Sequence, residues 1–144
     1  MELSTIPLPG ENRVFLKEVI VRLILPGERL RWEDLLKQHH YLGFTGMVGK
    51  SLRYVAEHQG RWLALLGWQS AALKCKPRDQ WIGWSSFLQY QRLSLIANNT
   101  RFLILPDITI KNLASRILSL NLKRLSSDWQ MIHGHPLLLL ENRP

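Results

Sequence analysis

The chain has 144 residues, 46% of them hydrophobic and 21% charged, with a net charge of +8. That length suits one domain with a full core, and the composition excludes a disordered chain. No apolar run reaches the roughly 20 residues that span a bilayer, the N-terminus lacks the basic and apolar parts of a signal peptide, and the single cysteine, Cys75, excludes an internal disulfide framework.

A cytoplasmic protein without a membrane partner is the expectation. A basic domain is drawn to polyanions such as DNA, and a basic balance also serves solubility.

Residues 1–13, with Pro7, Pro9 and Gly10, read as a loose arm ahead of one domain over 14–144. Lys17 to Leu25 is rich in Val, Ile and Leu and stops at Pro26-Gly27, which favours a strand over a short helix. Trp32, Leu35, Leu36, His39 and His40 then share a helical face, with Glu33 and Asp34 in the first turn and Gly43 and Gly46 after it. Ser51 to Glu57 and Arg61 to Trp68, joined at His58-Gln59-Gly60, form the clearest hairpin. Residues 70–83 hold a short apolar piece and then a loop, Pro77-Arg78-Asp79. Ser85 to Ala97 carries Phe87, Leu88, Arg92, Leu95 and Ile96 at helical spacing.

The central unit follows: a strand over 101–106, a loop, a helix over 112–131 and a strand over 136–141. Phe102 to Leu105 is continuously apolar, as in a strand buried on both faces. Leu113, Ala114, Ile117, Leu118, Leu120, Leu122, Leu125 and Trp129 give the helix a wide apolar side, and Ser115, Arg116, Ser119, Lys123, Ser126 and Ser127 a wet one. Arg124 and Asp128, four apart, are placed to pair. The pattern predicts an α+β domain with a mixed sheet.

Several phrases belong together: His39-His40-Tyr41-Leu42-Gly43, Leu52-Arg53-Tyr54-Val55, Pro77-Arg78-Asp79 with Ile82-Gly83-Trp84, the run from Asn98 to Pro106, Asn112-Leu113-Ala114-Ser115, Asp128-Trp129 and Gly134-His135-Pro136. As a set they resemble the bacterial family that includes DruA of the Druantia anti-phage system, some relatives of which are attached to transposases. The resemblance covers about residues 14–141. It implies partners among defence or transposition proteins. Family members continue past the position of Glu141, so it also implies a chain shortened at its C-terminus, with strand 136–141 exposing an edge.

The order of elements also resembles the core of the GNAT acetyltransferases. In those enzymes a Gln/Arg-x-x-Gly-x-Gly/Ala loop after the fourth strand holds the coenzyme A pyrophosphate through backbone N–H groups. The matching stretch runs from Thr109 to Ala114. The resemblance implies acetyl-coenzyme A as cofactor, held at Lys111, Asn112, Leu113 and Ala114. Thr109 and Asn112 depart from the motif, and Asn112 stands where glycine would allow close backbone approach.

Four residues are candidates for chemistry. Asp79 is a base or Arg78 an anion clamp, or both satisfy loop backbone. Asn99 and Arg101 read a ligand or close a turn before the strand. Arg116, Lys123 and Arg124 form a basic helix face that suits phosphates. Trp62, Trp68, Trp81 and Trp84 stack on bases if exposed and fill the core if not. His39, His40, His133, His135 and Cys75 lack metal-ligand spacing, so no metal is expected and the histidines serve capping and packing. Cys75 has no base placed beside it by the sequence.

Three functional readings are open. The first is a protein of mobile-element or anti-phage character acting on or near DNA without autonomous catalysis. The second is an acyl-coenzyme A-dependent N-acetyltransferase. The third is a C-terminally shortened fragment without independent function.

Overall fold

A computed structural model describes residues 9–47, 49–71 and 75–142, with only the backbone at 9 and 10. Helix α1 spans Pro9–Glu18, β1 Ile20–Leu23, α2 Arg29–His39, β2 Ser51–His58, β3 Arg61–Ser70, α3 Lys76–Ile82, α4 Ser86–Arg92, β4 Ile96–Ile104, α5 Leu113–His133 and β5 Leu139–Glu141. The five strands form one sheet in the order β1-β2-β3-β4-β5. The first three pairings are antiparallel, and β4 pairs with β5 in parallel across the α5 crossover. The α+β class, the mixed sheet and the central strand–loop–helix–strand unit are as the sequence predicts.

Alternation along the strands sends side chains to two cores. Leu52, Tyr54 and Ala56 of β2 pack with Leu113, Ile117, Leu125 and Trp129 of α5 on one face. Val55, Trp62 and Leu65 pack with Trp32 and Leu36 of α2 and with Phe44 on the other. The β2–β3 turn is tight because Gln59 and Gly60 both take positive φ, 50° and 83°, matching the strand twist. Gly134, at φ 85°, stops α5 and donates its N–H to the Gln130 carbonyl.

Several boundaries differ from those the sequence predicts. The arm expected through residue 13 is helical from Pro9, and α1 takes Lys17 and Glu18 from the expected strand. Proline at a helix start, Glu11 in the first turn and Lys17 in the last all suit a helix. Residues 1–8 lie outside the described part. Pro77-Arg78-Asp79 is not a loop but the first turn of α3, which Gly83 closes at φ 70°. The helix expected over 85–97 ends at Arg92, and its last residues start β4. Ile96 and Ala97 are claimed instead by pairing with Leu139 and Leu140.

β4 therefore begins five residues before the expected strand at 101, and Asn98 to Arg101 lie within it. Phe102 to Leu105 are only half-buried. The cause is that β5 covers β4 over Ile96–Asn98 alone. The last strand is also shorter than expected: the Leu137 N–H goes to Ser126 Oγ at 3.0 Å before β5 starts. Leu138 and Leu140 at this sheet edge are exposed.

Candidate functional site

The sequence candidates fall into separate places. On β4, Gly67 faces Arg101 while the next residue of β3, Trp68, faces Asn99, so Thr100 is an extra residue and the strand bulges. A bulge frees carbonyls, and the buried Asn99 amide takes up two of them, Gly67 O and Arg101 O, each at 3.0 Å. Asn99 thus stitches the bulge from inside. Gly67 is tightly enclosed: a Cβ there would lie 3.2 Å from Met47, 3.3 Å from Trp32 and 3.4 Å from the Arg101 Cβ.

Arg101 projects on the α2 side of this bulge. Its Nε donates to Gly43 O at 3.1 Å and its Nη1 to Thr100 O at 2.7 Å. The guanidinium therefore ties the turn after α2 to β4. It lies on β4 beyond the last residue paired with β5, Asn98.

Arg78 and Asp79 form a second cluster. Arg78 is buried, with Nε 3.0 Å from Asp79 Oδ1 and Nη1 3.2 Å from Glu141 Oε1. Asp79 also accepts from Cys75 N, Trp84 Nε1 and Gln89 Nε2, each at 3.2 Å. Burial alone would push its carboxyl up, but the Arg78, Cys75 and Trp84 hydrogen bonds outweigh that and hold it below the usual range. An ionised carboxylate with this many donors holds α3, α4 and their turn together and is a poor proton acceptor. Glu141, which sequence reasoning missed, completes the cluster from β5. Its only sequence signal was its charge at the end of an apolar run.

At the start of α5, Lys111, Asn112 and Ala114 are exposed, whereas the Leu113 side chain is in the core. Asn112 holds φ 66°, a backbone setting that glycine adopts without strain, and its side chain makes no cap. The residues matched to the coenzyme A loop thus offer backbone and the two side chains of Lys111 and Asn112.

The basic face of α5 is largely committed to the fold. Arg116 Nε donates to Leu16 O at 2.9 Å, pinning α1. Arg124 pairs with Asp128 at 2.6 Å, donates to Val21 O at 2.8 Å and lies over the Tyr54 ring. Lys123 is exposed, beside a shallow groove of about 510 Å³ that it lines with Ser115, Leu118, Ser119 and Leu122.

The tryptophans divide. Trp62 and Trp68 are buried, and Trp68 Nε1 donates to Asn121 at 2.7 Å in the core. Trp84 is half-buried against Asp79. Trp81 on α3 is 78% exposed, and Phe87 and Tyr90 on α4 are 69% and 80% exposed. Those two rings, three apart on a helix, share a face. The other charged side chains over residues 76–92 are Lys76 and Arg92, both exposed, since Arg78 and Asp79 are held inward. The sequence reading placed Phe87 at helical spacing and singled out neither ring.

His133 contacts Ser51 O at 3.1 Å, and His135 contacts Lys50 Nζ at 2.9 Å. Cys75 is buried. Among the described residues no three His, Cys, Asp or Glu side chains converge as metal ligands, and no helix is long and apolar enough to cross a membrane.

Comparison with known proteins gives three findings. Residues 11–144 match the family model described as Druantia protein DruA. Among solved structures, the chain is similar to a mutant agmatine N-acetyltransferase in its apo form, at 14% identity and a TM-score of 0.45, over 82% of this chain and 72% of that one. No curated protein matches.

Proposed function

The chain belongs to the DruA family, and from that premise we propose that it serves an anti-phage or transposase-associated system by binding DNA, without a catalytic step of its own. The observation that carries the DNA reading is the α3–α4 surface. Trp81, Phe87 and Tyr90 are more than two-thirds exposed. Lys76 and Arg92 are the exposed charges of the same segment, residues 76–92. Exposed aromatic rings with cations and no exposed acid suit stacked bases and their phosphates. The net charge of +8 adds non-specific attraction. The partners on this reading are DNA and other proteins of the same system.

The test is fluorescence anisotropy with single-stranded and duplex oligonucleotides across salt. Binding at low salt, stronger for the single strand and falling as salt rises, is the expected result. No binding of either form at low salt sinks the reading.

A second reading is an acyl-coenzyme A-dependent N-acetyltransferase. It is favoured by β4 leading through a loop into the long helix α5, with Lys111, Asn112 and Ala114 exposed at that helix start. Asn112 in place of glycine weighs against it. Calorimetry with acetyl-coenzyme A separates the two: heat and a thermal shift support the enzyme, and their absence the binding protein.

A further inference from the structure

His40 is more than nine-tenths buried. Its Nδ1 accepts the Leu42 backbone N–H at 3.1 Å. A nitrogen that accepts carries no proton, so the neutral ring holds its proton on Nε2. No described residue partners Nε2, yet it is not among the polar atoms sealed from solvent without a partner. It is therefore an N–H donor that keeps some contact with solvent. Tyr41 stacks on one face of the ring, with centroids 4.7 Å apart, and limits its rotation.

Arg101 lies against the same turn. The Gly43 N–H bonds to the His40 carbonyl at 2.8 Å, and the Gly43 carbonyl accepts from Arg101 Nε at 3.1 Å. With Nη1 held by Thr100 O, the guanidinium is fixed and Nη2 has no partner among the described residues. Burial, and then the charge of Arg101, push the His40 pKa down, so the ring stays a neutral donor. Arg101 is the charged group that acts on it, and no carboxylate of the described residues is among the groups that shift it.

We propose that His40 Nε2 and Arg101 Nη2 form a phosphate-binding subsite, built by the His40–Gly43 turn and the β4 bulge. One fixed neutral donor and one fixed cationic donor, with no competing acid, suit an anion with several acceptor oxygens. A phosphodiester of a DNA strand and a free phosphate share this chemistry. The subsite stands on the turn geometry and does not depend on the α3–α4 surface.

The test is NMR of the full chain with ¹⁵N-labelled histidine. The His40 signals are expected to show the Nε2–H tautomer before any ligand is added. Inorganic phosphate and the dinucleotide d(TpT) are then titrated separately at constant ionic strength set with chloride. A saturable shift of His40 with d(TpT) alone assigns a nucleic-acid diester, with inorganic phosphate alone a free phosphate, and with both a general subsite. Loss of one charge-assisted donor in Arg101→Gln is expected to weaken the phosphate effect about tenfold, and Arg101→Lys to restore part of it. An Nδ1–H tautomer, or no His40 shift with either probe in the unsubstituted protein, overturns the proposal without recourse to any variant.

Discussion

Arg78 on α3 reaches Glu141 on β5 across 63 residues of sequence, Nη1 to Oε1 at 3.2 Å, with 4% and 12% of their side chains exposed. This pair joins the α3–α4 segment to the strand that closes the sheet. It also accounts for a charge at the end of the apolar run Leu137 to Leu140, where the sequence alone offers no reason for one.

Removing Glu141 takes one charged partner from the buried Arg78, which Asp79 still holds. Glu141→Ala is expected to cost about 1.5–3 kcal/mol of unfolding free energy. Urea denaturation measures it. A loss below about 0.5 kcal/mol, the range of ordinary surface substitutions, would show that the pair does not hold β5.

Tyr54 Oη donates to Asp128 Oδ2 at 2.7 Å inside the α5 face of the core. Burial first, and the Asp128 hydrogen bond and charge next, push the Tyr54 pKa far up. Phenolate absorbance of the folded protein is therefore expected to rise identically in the native chain and in Tyr54→Phe. A difference between them before unfolding contradicts this. The substitution is expected to cost about 1–2 kcal/mol, since Arg124 still holds Asp128.

Acid stability has a specific source at the start of α2. The Arg22 side chain bonds Glu28 at 2.8 Å, and that bond, with the Leu25 N–H, lowers the Glu28 pKa to about 2 from an ordinary 4.5. A lowered folded-state pKa means that the unfolded chain binds the proton more readily. This contribution is complete above pH 4.5 and is lost as pH falls from there towards about 2. Glu28→Gln should flatten the acid limb of stability against pH. An unchanged limb refutes the assignment.

Much of the fold was legible because hydrophobic period is a strong local signal. The hairpin of β2 and β3 and the Leu113–Trp129 stripe of α5 follow from side-chain alternation and helical spacing alone. The site was less legible, since its pairings are long-range. Asn99 and Thr100 resemble a turn locally, and only the register against Gly67 and Trp68 makes them a bulge. Arg116 and Arg124 read as a free basic face, but carbonyls of Leu16 and Val21, distant in sequence, occupy them. His40 read as a packing residue, and its ring orientation depends on the Leu42 N–H and on Tyr41.

The α3–α4 surface makes a prediction that separates binding from folding. Alanine at Trp81, Phe87 or Tyr90 removes an exposed ring, so the melting temperature should stay nearly constant. Single-stranded DNA affinity should fall by about 1–3 kcal/mol for each ring that stacks. Lys76→Ala and Arg92→Ala should each lower the salt slope by about one phosphate contact. Substitutions that reduce stability and affinity together would place these residues in the fold instead.

The most direct test of DNA binding through this surface uses Trp81 as its own probe, because its ring is exposed while Trp32, Trp62, Trp68 and Trp129 are buried. Titration with oligo(dT) at low salt should quench the exposed component of tryptophan emission saturably as bases stack on the ring. Trp81→Phe should lose that quenching while anisotropy still reports binding through Phe87 and Tyr90. Unchanged emission on adding oligo(dT), or equal quenching in Trp81→Phe, would contradict DNA binding at this surface.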